Sequence, residues 1–65
     1  MQVLKEAMAI GKLYRAGERK AQASALGLDD PDAMACFRAY RQAIDHGKHG
    51  DGIDLPAHLR SELAL

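Results

Sequence analysis

The sequence predicts an all-α fold, a small bundle of three helices followed by a short C-terminal helix in one domain spanning 1–65. Ala, Leu, Met, Arg, Lys and Gln, which favour helices, make up more than half of the chain, and Thr is absent. The β-branched residues, which favour strands, are limited to Val3, Ile10, Ile44 and Ile53. Apolar side chains also recur at spacings of three and four residues, which is the period of an amphipathic helix.

The first half of the chain is predicted to form two helices, at 2–16 and 18–26. Gly17 is a plausible C-cap of the first, and Gly27 ends the second in a Schellman-like turn, with Leu28 making the hydrophobic contact of that motif. One long helix is the alternative, because a glycine inside a helix costs only about 1 kcal/mol. The stripe of the first helix comprises Val3, Leu4, Ala7, Met8, Ile10 and Tyr14.

The third predicted helix, at 31–46, has the clearest start signal in the sequence. Asp30 is placed to cap its N-terminus, and Pro31 suits the first helical position. Asp32 adds negative charge to the first turn, where the helix dipole favours it. The apolar face of this helix comprises Ala33, Cys36, Phe37, Tyr40, Ala43 and Ile44.

A glycine-rich loop is predicted at 47–54, because this stretch lacks apolar periodicity. A last helix at 56–64 carries Leu59 and Leu63, with Leu55 just before it. About nine residues do not form a stable helix alone, so this segment is expected to dock on the rest of the chain.

Charge and size restrict the function. Nine Lys and Arg residues balance nine Asp and Glu residues, so the chain is not a polycation for nucleic acid. Residues 1–28 hold five basic and two acidic groups, whereas residues 29–65 hold four basic and seven acidic groups. This asymmetry is typical of ordinary solvated helix faces. The alternative interpretation is self-complementary association, in which the basic half of one copy meets the acidic half of another.

Catalysis, metal binding and cofactor binding are not predicted. Cys36 and His46 lie ten residues apart, about 15 Å along one helix, too far for a nucleophile and its base. His46 and His49 lie near several carboxylates but match no closed zinc-ligand spacing. A chain of 65 residues also leaves little volume for a concave pocket.

The preferred hypothesis is a non-catalytic protein-interaction module: an adaptor, regulator or accessory subunit. Domains this small often need a disulfide, a metal or a partner, and a single cysteine excludes a disulfide within the chain. The expected partner is another protein chain, as a homodimer, a larger partner protein or both. The predicted partner-binding residues are Tyr14, Arg15, Arg19, Asp29, Asp30, Asp32, Phe37 and Tyr40. The apolar stripes would instead close a monomeric core in the competing interpretation.

The alternative function is a nucleic-acid-binding regulator. Ala23, Gly27 and Ala33 have the spacing of a helix-turn-helix, and a basic strip runs from Lys12 to Lys20. The carboxylates that open the would-be recognition helix oppose this alternative, because they repel phosphates. No apolar run has the length of a membrane span or a secretory signal, so a cytoplasmic location without membrane contact is expected.

Overall fold

A computed structural model of the chain describes residues 2–47 and 53–65, with their side chains from residue 8 onward. Three α-helices lie in this part of the chain: α1 (Gln2–Ala23), α2 (Pro31–His46) and α3 (Ala57–Glu62). A short 3₁₀ turn, Gly27–Asp29, connects α1 to α2, and the described residues contain no strand. The prediction of an all-α fold is therefore confirmed.

The structure corrects the predicted division of the first half into two helices. α1 continues through Gly17 and ends at Ala23, so a single helix of 22 residues replaces the predicted pair. A Cβ at Gly17 would lie 2.9 Å from two carbons of the Phe37 ring, closer than side chains tolerate. The missing side chain of Gly17 thus lets α2 approach α1 closely, which offsets the cost of glycine inside a helix.

α2 begins and ends as the sequence predicts. The Asp30 carboxylate accepts a hydrogen bond of 3.0 Å from the backbone N–H of Ala33, and Pro31 occupies the first helical position. Gly47 ends α2 in the left-handed conformation with φ 64°, which glycine adopts without a steric penalty. Of the glycine-rich loop predicted at 47–54, residues 48–52 lie outside the described residues.

The core lies where α1, α2 and residues 53–65, hereafter the C-terminal segment, meet. Small side chains from the two long helices supply half of it, and Leu59 of α3 is fully buried among them. Small residues let two helix backbones approach, so the groove between α1 and α2 receives larger residues from the C-terminal segment. The buried cluster comprises Ala9, Leu13, Ala16, Cys36, Ala39, Ile53, Leu55 and Leu59.

Polar contacts fasten the C-terminal segment around this core. Lys12 Nζ donates to the backbone carbonyl of Leu63 at 3.3 Å, and Lys20 pairs with Glu62 at 2.6 Å. His58 Nε2 lies 3.0 Å from a carboxylate oxygen of Asp32. α3 covers only six residues, fewer than the predicted 56–64, and depends on these contacts because a helix this short is unstable alone.

Within residues 2–47 and 53–65, none of the helices has both the length and the apolar character that a membrane crossing requires.

Candidate interaction surface

The α1–α2 pair is an antiparallel hairpin with two broad faces. Phe37 meets Gly17, whereas Tyr40, later on α2, meets the earlier Tyr14 on α1, so the two helices run in opposite directions. The C-terminal segment lies over one face, which we call the covered face. The opposite face carries Tyr14, Phe37, Tyr40 and Ile44, and we call it the aromatic face.

Three rings pack together across the two helices on the aromatic face. The ring centroids of Tyr14 and Phe37 lie 6.0 Å apart with an interplanar angle of 74°, an edge-to-face arrangement. The centroids of Tyr14 and Tyr40 lie 5.2 Å apart with an angle of 51°. Both geometries fall in the range that aromatic pairs prefer, so the rings stabilise the hairpin itself. The structure thus brings together the three aromatic residues that the sequence analysis selected.

These rings are only partly buried by one another. Tyr14 is 43% exposed and Ile44, one helical turn beyond Tyr40, is 52% exposed. Phe37 and Tyr40 are half-buried, and Tyr40 also packs against the core cluster. The aromatic face therefore presents large apolar groups to solvent beside a hairpin whose other face is closed.

Helix geometry places the aromatic face away from the C-terminal segment. Successive residues of an α-helix are rotated by about 100°, so Lys12 and Tyr14 project about 160° apart around α1. By the same count, Asp32 and Phe37 project about 140° apart around α2. Lys12 and Asp32 contact the C-terminal segment through Leu63 and His58, so Tyr14 and Phe37 face the other way, whereas Tyr40 lies between the aromatic face and the core.

The predicted basic residues do not lie on the aromatic face. Arg15 and Arg19 are exposed, but they project about 100° and 140° from Tyr14 around α1. Among the described residues neither guanidinium forms an ion pair. The sequence grouped them with Tyr14 because they are close in sequence, whereas the helix turns them toward another side.

The three predicted aspartates have separate surroundings at the α1–α2 connection. Asp30 caps α2, and the hydrogen bond from the Ala33 N–H lowers the pKa of its carboxyl because that bond favours the charged form. Asp32 contacts His58, and Asp29 is exposed in the 3₁₀ turn. Two of these three carboxylates therefore already have partners within the chain.

Sequence reasoning missed several exposed residues around these surfaces. Leu26 and Leu28 in the connection are 61% and 69% exposed, although the sequence analysis placed Leu28 in a helix-ending hydrophobic contact. Glu18, which is exposed on the aromatic face about 40° around α1 from Tyr14, received no role. Helical spacing alone signals its position, because Glu18 follows Tyr14 by four residues.

The structure gives no support to a reactive thiol or a metal centre among the described residues. Burial raises the pKa of the Cys36 thiol, which keeps it protonated and unreactive. In the described part of the chain no three His, Cys, Asp or Glu side chains form a metal-binding group, and His49 lies outside that part. A shallow concavity of about 320 Å³ is lined by Lys20, Ala23, Ser24, Asp30 and Asp32.

The ionisable groups that line this concavity each contact a residue outside it. Lys20 pairs with Glu62, and the hydrogen bond to this carboxylate raises the pKa of the Lys20 ammonium. A catalytic lysine needs the opposite shift, toward neutral pH. Asp30 and Asp32 are held by Ala33 and His58 as described, so the concavity contains a structural network.

Comparisons of the chain with protein-family models, with curated proteins and with solved structures find no match. Its function is therefore inferred from its own residues.

Proposed function

We propose that this chain is a non-catalytic protein-interaction module that associates with another protein chain through the aromatic face, with self-association as a homodimer. One observation carries the proposal: Tyr14 and Ile44 remain about half exposed on a hairpin whose opposite face packs against the C-terminal segment. Tyrosine and phenylalanine are enriched at protein interfaces, because they bury a large area and have few rotatable bonds. An adaptor, a regulator or an accessory subunit fits such a surface.

The arrangement of the aromatic face favours docking of a helix or a helix pair. Its exposed groups lie along two antiparallel helices, so they form ridges that a second helical surface can interlock with. The rings are already positioned by their mutual contacts, so little side-chain freedom is lost on binding. The charge asymmetry of the sequence supports a second copy as the partner.

The absence of catalysis is part of the proposal and has its own support. Cys36 is fully buried, and burial raises its pKa. The concavity near Lys20 is shallow, and its ionisable side chains already have partners, Lys20 with Glu62, Asp32 with His58 and Asp30 with the Ala33 N–H. A reacting molecule would have to displace these contacts before it met a free functional group.

The decisive experiment measures molar mass against concentration by light scattering or sedimentation. We expect the mass of the wild-type chain to rise from 7.1 kDa toward twice that value as concentration increases. Ile44→Ser should weaken association roughly a hundredfold, because about 1.5 kcal/mol of apolar burial is lost from each of two copies.

Leu28→Ser is the matched control for that variant. Leu28 is more exposed than Ile44 but lies in the α1–α2 connection, away from the aromatic face, so its replacement should leave association unchanged. Circular dichroism should show that both variants keep their helices. A wild-type chain that stays at 7.1 kDa up to millimolar concentration would remove the homodimer.

Nucleic-acid binding is the second candidate, and the exposure of Arg15 and Arg19 favours it. The other two cations of the basic strip are engaged, Lys12 with the Leu63 carbonyl and Lys20 with Glu62. Two free arginines would give weak binding with a shallow dependence on salt. A gel-shift titration with the Arg15→Ala and Arg19→Ala double variant tests this. Binding at physiological salt that the double variant loses would support the nucleic-acid function.

A further inference from the structure

We draw no further inference here: the strongest candidate, the exposed apolar surface of Leu26 and Leu28 in the connection between α1 and α2, is an unpartnered patch, and nothing in the structure shows what covers it.

Discussion

The two faces of the α1–α2 hairpin differ in the size of their side chains and in how deeply those side chains are buried. The covered face is lined by small residues such as Ala16 and Ala39, and it receives Leu59 as a fully buried side chain. The aromatic face carries the largest side chains of the two helices, and Tyr14 and Ile44 remain about half exposed there. Burial in this chain therefore follows the shape of the groove more than the size of the apolar group.

The polar contacts follow the same division. Lys12, Lys20 and Asp32 all reach the C-terminal segment, and the Arg60 guanidinium contacts the Ile53 carbonyl within that segment. On the aromatic face, Glu18 forms no such contact among the described residues. The charged groups around the covered face are paired within the chain. The aromatic face exposes rings and an unpaired charge, which suits it to binding a partner.

The largest expected loss of stability comes from a substitution on the covered face. Leu59→Ala should lower the free energy of unfolding by about 2–4 kcal/mol, because it removes a fully buried side chain and leaves a cavity between the C-terminal segment and the hairpin. Small domains have about 3–5 kcal/mol in total, so most of the stability would be lost. Urea unfolding at low micromolar concentration measures the change.

Ile44→Ala is the control for that variant on the aromatic face. It also truncates an aliphatic side chain, but from a position that is 52% exposed, so it should cost about 1 kcal/mol or less in the monomer. Equal losses for Leu59→Ala and Ile44→Ala would contradict the distinction between the two faces.

A smaller loss of stability is expected from a substitution at the contact between α1 and α2. Gly17→Ala should destabilise the fold by about 1–2 kcal/mol, because the new methyl group would press against the Phe37 ring. Gly11→Ala is the matched control on the same helix, since its Cβ would lie 3.5 Å from the nearest atom, an ordinary contact. That variant should stabilise α1 by up to about 1 kcal/mol through helix propensity.

Thermal unfolding of the two glycine variants distinguishes packing from propensity. If Gly17→Ala and Gly11→Ala stabilise the chain equally, then the close approach of Phe37 to α1 is not a constraint. A second substitution, Phe37→Leu, should relieve part of the penalty at Gly17, because the smaller side chain leaves room for the methyl group.

The sequence predicts the elements of this fold better than their arrangement. The start of α2 follows from local chemistry, since an aspartate cap and a proline at the first position act within four residues. Whether α1 breaks at Gly17 depends on Phe37, twenty positions away, and no local signal contains that information. Propensity therefore left two alternatives open, and tertiary contact selects one.

Prediction of the candidate interaction surface is limited in the same way, by contacts between residues that are far apart in the sequence. Tyr14, Phe37 and Tyr40 were predicted together because apolar spacing defines a helix face, and their rings do meet. Asp32 was assigned to a partner, whereas His58, 26 residues later, contacts it within the chain. Long-range ion pairs leave no periodic trace in a sequence, so local reasoning does not find them.

The smallest expected loss of stability comes from breaking the ion pair between Lys20 and Glu62 at the edge of the covered face. Glu62→Gln should lower the free energy of unfolding by about 0.5 kcal/mol or less, because Glu62 is half exposed and solvent screens its pairing with Lys20. Asp45→Asn, which breaks the more exposed pair with Arg41 within α2, is the control and should cost less still.

The pH dependence of this effect has a definite sign. The hydrogen bond to Glu62 raises the pKa of Lys20 above its ordinary value of 10.5, so the folded state holds the proton more tightly than the unfolded state. The resulting stabilisation is fully present below pH 10.5 and is lost as pH rises through the raised pKa. Urea unfolding of wild type and Glu62→Gln at about pH 8 and about pH 11 should therefore show a difference that narrows at the higher pH. A difference that stays constant or widens would show that Lys20 and Glu62 do not fasten the C-terminal segment to the hairpin.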